Sequence, residues 1–280
     1  MARVKDTLTW LAIKRRTRAF RKLAETYELP GGYRRIYCHH VRKTGGTSLH
    51  RSFMALGGED PAAVHDRLAA TPGNRTVSNG LAFVAHSGEL LEDGSYFYGW
   101  SHVPAHEIRL PPATFTVAIL RDPAERVLSH YQMLLYGTRG AYPFPHSRQE
   151  GELAESGFEH FLDALPREEL LRQLFMFSAS FDVGEAAARL RGCSHLFLTE
   201  EYETGLAELA EMLLLPLTMR REREAARRAQ LGVDDLRRLT ALLEPEYDLL
   251  ARLGLTGARA HEPVVSSQNE TPGTSPGTPG

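Results

Sequence analysis

The chain is 280 residues long, 42% hydrophobic and 24% charged, with 33 Lys+Arg against 35 Asp+Glu and a formal net charge of −2. That composition is ordinary for a soluble globular protein, and it excludes collagen-like, coiled-coil and wholly disordered chains. One count is uneven: the only lysines are Lys5, Lys14, Lys22 and Lys43, so 29 of the basic residues are arginine and no lysine follows residue 43.

Residues 1–35 carry ten basic and three acidic side chains, a net of +7 that leaves −9 for the rest. Residues 1–32 read as a basic helical leader. Leu8, Leu11, Phe20 and Leu23 give it only a patchy apolar stripe, which predicts a solvated or self-packed helix. Peripheral contact with an anionic membrane surface or an acidic partner is the alternative, and no nucleic-acid partner is expected. The run Thr7 to Ile13 is too short and too polar-flanked for a signal-peptide core. No apolar run approaches the ~20 residues a membrane span needs. Two lone cysteines, Cys38 and Cys193, suggest free thiols in a reducing compartment, so a cytoplasmic location is expected.

Residues 33–258 form the candidate domain. Arg35 to His40 is a short β-rich run that stops before Gly45-Gly46, and Leu49 to Leu56 then reads as helix. Ala62 to Ala70 is helical. Leu81 to His86 and Tyr96 to Val103 are strand candidates. Phe115 to Leu120 is the strongest strand, continuous and apolar, as expected for burial on both faces. Helix follows over Ala124 to Tyr136 and Glu168 to Phe177. A short strand at Leu196 to Leu198 precedes helices at Tyr202 to Leu215 and Val233 to Leu253. Strands alternating with helices predict an α/β fold with a central, mostly parallel sheet flanked by helices. Ligands in such sheets bind beyond the carboxyl ends of the strands. Residues 259–280 end in a Pro/Gly/Ser/Thr-rich stretch with no large apolar residue after Val265, predicted to be disordered.

Two strand ends carry chemistry. Lys43-Thr44-Gly45-Gly46-Thr47-Ser48 follows the first strand and opens a helix. Adjacent glycines allow a sharp turn with exposed backbone N–H groups, Thr47 and Ser48 are placed to cap the helix, and the helix N-terminus adds positive partial charge. Together these make an anion cradle with Lys43 as a mobile charge at its edge. On its own the hexapeptide is equally a plain strand-to-helix turn. It is not a Walker A loop, because the lysine precedes the glycines. The second end is Arg121 to Tyr131. Asp122 suits an N-cap, Pro123 the first helical position, and Glu125 the capping-box spacing. Arg121 then sits at the end of the central strand, with Ser129 two turns along the helix. Guanidinium and hydroxyl suit a phosphate. A nucleotide with phosphates at two positions would use both sites.

His40 to Ser48 followed by Ile119 to Tyr131 resembles the PAPS-dependent sulfotransferases, in the carbohydrate branch related to heparan sulfate uronyl 2-O-sulfotransferase. The first motif is similar to that family's 5′-phosphosulfate loop and the second to its 3′-phosphate motif. Weaker likeness runs through Leu196 to Glu201 and into Leu236 to Leu249, so the resemblance covers about residues 33–253. It implies a P-loop-like α/β fold and transfer of a sulfuryl group from PAPS, released as adenosine 3′,5′-bisphosphate, with no metal required. It implies that Lys43 stabilises the leaving phosphate. Thr44, Gly45, Gly46, Thr47 and Ser48 would cradle the 5′-phosphate, and Arg121 and Ser129 would hold the 3′-phosphate. Arg42 stands where the family usually has proline and adds a second cation to the loop. The chain resembles a free-standing, bacterial-style member of the branch.

The acceptor hydroxyl needs a base that titrates near neutrality. The candidate is His102, near the end of the third strand in Gly99-Trp100-Ser101-His102-Val103, where the related uronyl enzymes carry a catalytic histidine. His86 is the runner-up, and His40 borders the loop. The acceptor is expected to be a sugar hydroxyl or another hydroxyl-bearing molecule, contacted through loops such as Thr138 to Glu152 with Tyr142, Phe144, His146 and Arg148. A kinase-like phosphoryl transferase and a non-catalytic nucleotide-binding scaffold are the alternatives.

Overall fold

The structure, a computed structural model, describes residues 18–71, 73–136, 152–219 and 231–255. The expectations for residues 1–17, for the loop side chains Tyr142, Phe144, His146 and Arg148, and for the 259–280 tail lie outside the described residues.

Six strands form one sheet: β1 (Arg35–His39), β2 (Arg75–Ser78), β3 (Leu81–Ala85), β4 (Tyr98–Ser101), β5 (Thr114–Leu120) and β6 (His195–Leu198). Their order is β2-β3-β4-β1-β5-β6. Every neighbouring pair is parallel except β2 with β3. The sequence reading finds the five parallel strands and misses β2. Its four residues, Arg-Thr-Val-Ser, lack the apolar run that marks a buried strand, and β2 lies at the edge of the sheet with one neighbour. The signal lay in the turn instead: Asn79 (φ 42°) and Gly80 (φ 80°) both take left-handed backbone, as a two-residue hairpin requires.

The helices are α1 (Gly46–Ala55), α2 (Pro61–Ala70), α3 (Gly88–Asp93), α4 (Pro123–Tyr136), α5 (Phe158–Ala164), α6 (Arg167–Leu170), α7 (Arg172–Phe177), α8 (Val183–Arg191), α9 (Tyr202–Leu213), α10 (Val233–Leu242) and α11 (Glu244–Arg252). The expected helix Glu168 to Phe177 breaks at Leu171, whose φ −102°, ψ 46° is not helical. The expected helix Val233 to Leu253 divides at Leu243 (φ −96°, ψ 5°), because Pro245, in the first turn of the second piece, has no N–H to continue the ladder.

Helices cover both faces of the sheet. Successive residues of β5 alternate between them: Val117 and Ile119 join a core with α1, α2 and α9, while Ala118 and Leu120 join one with α4, α7, α8 and α11. Leu49, Phe53 and Met54 anchor α1 and are fully buried. Each stabilises its position by about 1.5–3 kcal/mol, so the loop that precedes α1 starts from a rigid base. Residues 18–24 are helical, and Phe20, Ala24, Tyr27 and Leu29 pack into the first core. The Tyr27 hydroxyl donates to the Gly80 carbonyl at 2.8 Å and accepts from the Ala82 amide at 2.9 Å, which pins the β2–β3 turn. Among the described residues no helix is long and apolar enough to cross a membrane.

Candidate functional site

The five parallel strands end along one edge of the sheet. β3 ends at His86, β4 at His102, β1 at the loop 41–46, β5 at Arg121, and β6 at Thr199 and Glu200. The chain adds strands on one side of β1, returns through β4, and crosses to β5 on the other side. Such a reversal leaves a crevice beyond the strand ends, where α/β proteins bind ligands.

The loop after β1 is shaped by two left-handed residues, Lys43 (φ 72°) and Gly45 (φ 86°), on either side of Thr44. Thr44 is buried, and its hydroxyl donates to the Val41 carbonyl at 3.0 Å. The Thr199 hydroxyl is shared between the Thr44 carbonyl (2.8 Å) and the Leu120 carbonyl (3.0 Å), tying the ends of β1, β5 and β6 together. A Cβ at Gly46 would lie 2.2 Å from the His40 ring, so only glycine fits there. Thr47 and Ser48 do not cap α1 as expected. The helix starts one residue earlier, at Gly46, with Gly45 at the N-cap and no side-chain cap. Thr47 and Ser48 are therefore within the first turn, whose amide groups face the loop end of the helix. An uncapped N-terminus preceded by left-handed backbone suits an oxyanion.

Four histidines gather on the β3–β4–β1 side. His102 Nδ1 donates to the His40 carbonyl at 2.7 Å. A carbonyl can only accept, so this bond places the His102 proton on Nδ1 and leaves a lone pair on Nε2. Burial, together with His86, Arg42 and Arg172, lowers the His102 pKa to about 4 against the opposing hydrogen bond to His40. His102 is thus neutral at physiological pH and titrates well below the near-neutral value expected of the base, because burial disfavours its charged form. The His40 ring lies 4.4 Å from the His102 ring, and His86, exposed at the rim, lies 5.1 Å away. Behind them is His50, absent from the expected site. Its Nε2 is 3.0 Å from His40 Nδ1, its Nδ1 is 2.8 Å from the Tyr98 hydroxyl, and its ring stacks on Trp100 at 4.2 Å. Burial holds the pKa values of His40 and His50 well below the ordinary value.

The β5–β6 side is ionic. Asp122 caps α4 through the Glu125 amide at 2.9 Å, as expected. The reciprocal half of the capping box does not form: Glu200 accepts from the Asp122 amide at 3.1 Å, and Glu125 pairs with Arg121 at 3.2 Å. Arg121 also donates to the Lys43 carbonyl at 3.3 Å, which joins the two motifs directly. Its Nε is buried without a hydrogen-bond partner, the nearest carboxylate oxygen, on Glu200, being 4.0 Å away. An orphaned guanidinium N–H beside the cradle fits an anion. Ser129, half-buried, lies one turn beyond Glu125 on the same face of α4. Arg42 turns instead toward Glu169, 3.6 Å away, which also pairs with Arg172 at 3.2 Å; Arg172 donates to the His102 carbonyl. Arg42 therefore joins the histidine side and not the Arg121 side.

The structure thus brings Lys43, Thr44, Gly45, Gly46, Arg121 and His102 to one edge, with Thr47 and Ser48 just inside α1. The reading missed His50, Glu200, Thr199, Gln173 and Glu246. Thr199 and Glu200 had a signal, since they directly follow a strand. The others lie inside helices, where nothing distinguishes them from ordinary polar positions. Among the described residues no cluster of His, Cys, Asp or Glu could hold a metal ion. Residues 31–184 match the model of the sulfotransferase family. No curated protein matches the chain.

Proposed function

A match over more than half of its length places the chain in the sulfotransferase family, a family of sulfuryl-transferring enzymes, and on that premise we propose that it transfers the group from PAPS to a hydroxyl of a carbohydrate or glycoconjugate. PAPS supplies an activated sulfuryl group and leaves as adenosine 3′,5′-bisphosphate. Lys43, at the edge of the loop, meets the negative charge that develops on the bridging oxygen. A cation held there stabilises the transition state more than the ground state. The backbone of Thr44, Gly45 and Gly46, with Thr47 and Ser48 at the start of α1, cradles the 5′-phosphate. Arg121 and Ser129 take the 3′-phosphate. Arg42, paired with Glu169, adds positive charge from the acceptor side of the loop.

His102 is the base. As the acceptor oxygen closes on sulfur, its proton passes to His102 Nε2, and the sulfur–oxygen bond to the 5′-phosphate breaks. The observation that carries this reading is the His102–His40 hydrogen bond, because it leaves Nε2 bare at the end of the strand beside the phosphate loop.

The test combines binding with turnover. Calorimetry should give adenosine 3′,5′-bisphosphate tighter than ATP, with no gain from magnesium. Incubation with PAPS and a panel of sugars should add one sulfo group by mass. Lys43→Ala, which keeps a side chain on the same left-handed backbone, should lower kcat by about 10²–10³. Preference for ATP with magnesium would move the chain to phosphoryl transfer, and unchanged sulfuryl transfer by Lys43→Ala would overturn the role of the lysine.

A further inference from the structure

The Arg121 main chain is held in an unusual way. Its amide donates to Gln173 Oε1 at 2.8 Å, and its carbonyl accepts from Gln173 Nε2 at 3.0 Å. One carboxamide therefore satisfies both backbone groups of the residue that ends β5, much as a neighbouring strand would. Gln173, fully buried, is held in turn by Glu246 of α11. Glu246 accepts from the Gln173 amide at 2.6 Å, from Gln173 Nε2 at 3.1 Å, and from the Leu174 amide at 3.2 Å. Tyr247, the next residue, donates to Asp122 at 3.3 Å.

This arrangement is costly to bury. Glu246 and Arg126 are both fully inaccessible, and burial pushes the Glu246 carboxyl pKa up while Arg126 pulls it back. Their closest approach is 3.8 Å, and Arg126 Nε and Nη1 have no hydrogen-bond partner. An ion pair with that geometry is a poor source of stability. The short bonds of Glu246 all go to Gln173 and Leu174, so the carboxylate serves to orient the amide. The amide in turn fixes the strand end from which the Arg121 guanidinium projects.

We infer that Gln173 and Glu246 are positioning residues for recognition of the nucleotide's 3′-phosphate, acting through the main chain of Arg121. The inference rests on the assignment of the 3′-phosphate to Arg121. The recognition unit then spans β5, α7 and α11, and its last member lies beyond the 31–184 family match. The discrimination between 3′-phosphorylated and plain 5′-nucleotides is set by a helix that does not reach the ligand.

The test is a ratio. Dissociation constants for adenosine 3′,5′-bisphosphate and adenosine 5′-monophosphate are measured by calorimetry on the full chain, its Arg121→Ala variant, and the near-isosteric Gln173→Leu variant. The unmodified chain should favour the bisphosphate, and Arg121→Ala should abolish that preference. Gln173→Leu should reduce it about tenfold, the worth of one or two hydrogen bonds, with 5′-monophosphate affinity within about twofold. A folding defect alone would weaken both ligands together and leave the ratio intact, which would overturn the inference. Should Gln173→Leu fail to fold, Glu246→Gln keeps the volume and removes the charge; a ratio unchanged in that variant sinks the inference equally. A bisphosphate preference absent from the unmodified chain would instead remove the 3′-phosphate assignment on which the inference stands.

Discussion

The two sides of the site handle charge in opposite ways. On the β3–β4–β1 side, His40, His50 and His102 are kept neutral by burial, and hydrogen bonds fix the ring of each. On the β5–β6 side, Arg121 sits between the carboxylates of Glu125 and Glu200, with its backbone clamped by Gln173. In the proposed function one side moves a proton and needs a lone pair. The other side is proposed to hold an anion and needs a fixed cation. Lys43 lies between them, and the Arg121–Lys43 hydrogen bond is the seam. The difference teaches that burial is not a uniform cost at this edge: it prepares the base on one side and must be offset by carboxylates on the other.

The comparison breaks most severely at the base. His102→Ala should lower kcat by about 10²–10⁴, the range for losing a positioned acid–base group, while bisphosphate affinity stays within about twofold. Equal loss of binding and turnover would show that the two sides are not separable. In the unmodified enzyme log kcat/KM should stay level from pH 8 to about 5.5, then fall with a slope of one as His102 is protonated through its pKa of about 4.

Removing the support behind the base sharpens the comparison. His50→Phe keeps the stacking on Trp100 and loses both hydrogen bonds, to His40 and to Tyr98. Turnover should drop about tenfold, on the scale of one or two hydrogen bonds, with the 3′-phosphate preference unchanged. Loss of that preference would mean that the histidines also set the ionic side.

The last effect concerns stability and lies outside the two-sided comparison of rates and affinities. Histidines lowered in the fold by burial, His39 to about 4 and His50 well below its ordinary value, bind protons in the unfolded chain before they do in the native one. Their contribution is full above the unfolded pKa of about 6.5 and is lost as pH falls toward 4. The unfolding free energy from urea titrations should decline over that window by on the order of 1 kcal/mol per pH unit for each buried ring, with the midpoint falling in step. A midpoint that is flat between pH 6.5 and 4.5 would place these rings in water.

The parallel strands were legible because each is an apolar run bounded by turn residues, and β5 most of all. The chemistry was legible where it sits on strand ends: Lys43, Arg121 and His102 stand out because β1, β5 and β4 stop there. The edge strand was not, since its four residues carry no apolar run and its cover comes from elsewhere, with Phe20 against Arg75 and Arg67 of α2 bonded to Thr76 and Val77. Nor were His50, Gln173 and Glu246, because they act across 10 to 73 residues of chain through partners that no local spacing reveals. Thr47 and Ser48 misled for a simple reason. Two hydroxyls near a helix start favour capping, but Gly46 can enter the helix without a Cβ, and the His40 ring requires that it have none.

Lys43 has a left-handed backbone, a conformation that costs a residue with a Cβ on the order of 1 kcal/mol and costs glycine almost nothing. Glycine at position 43 would therefore relax the loop while removing the ammonium that the proposed mechanism uses at the bridging oxygen. On the proposed mechanism, stability and activity pull against each other at this position. The strain falls on the last lysine of the chain, after which the sequence uses only arginine.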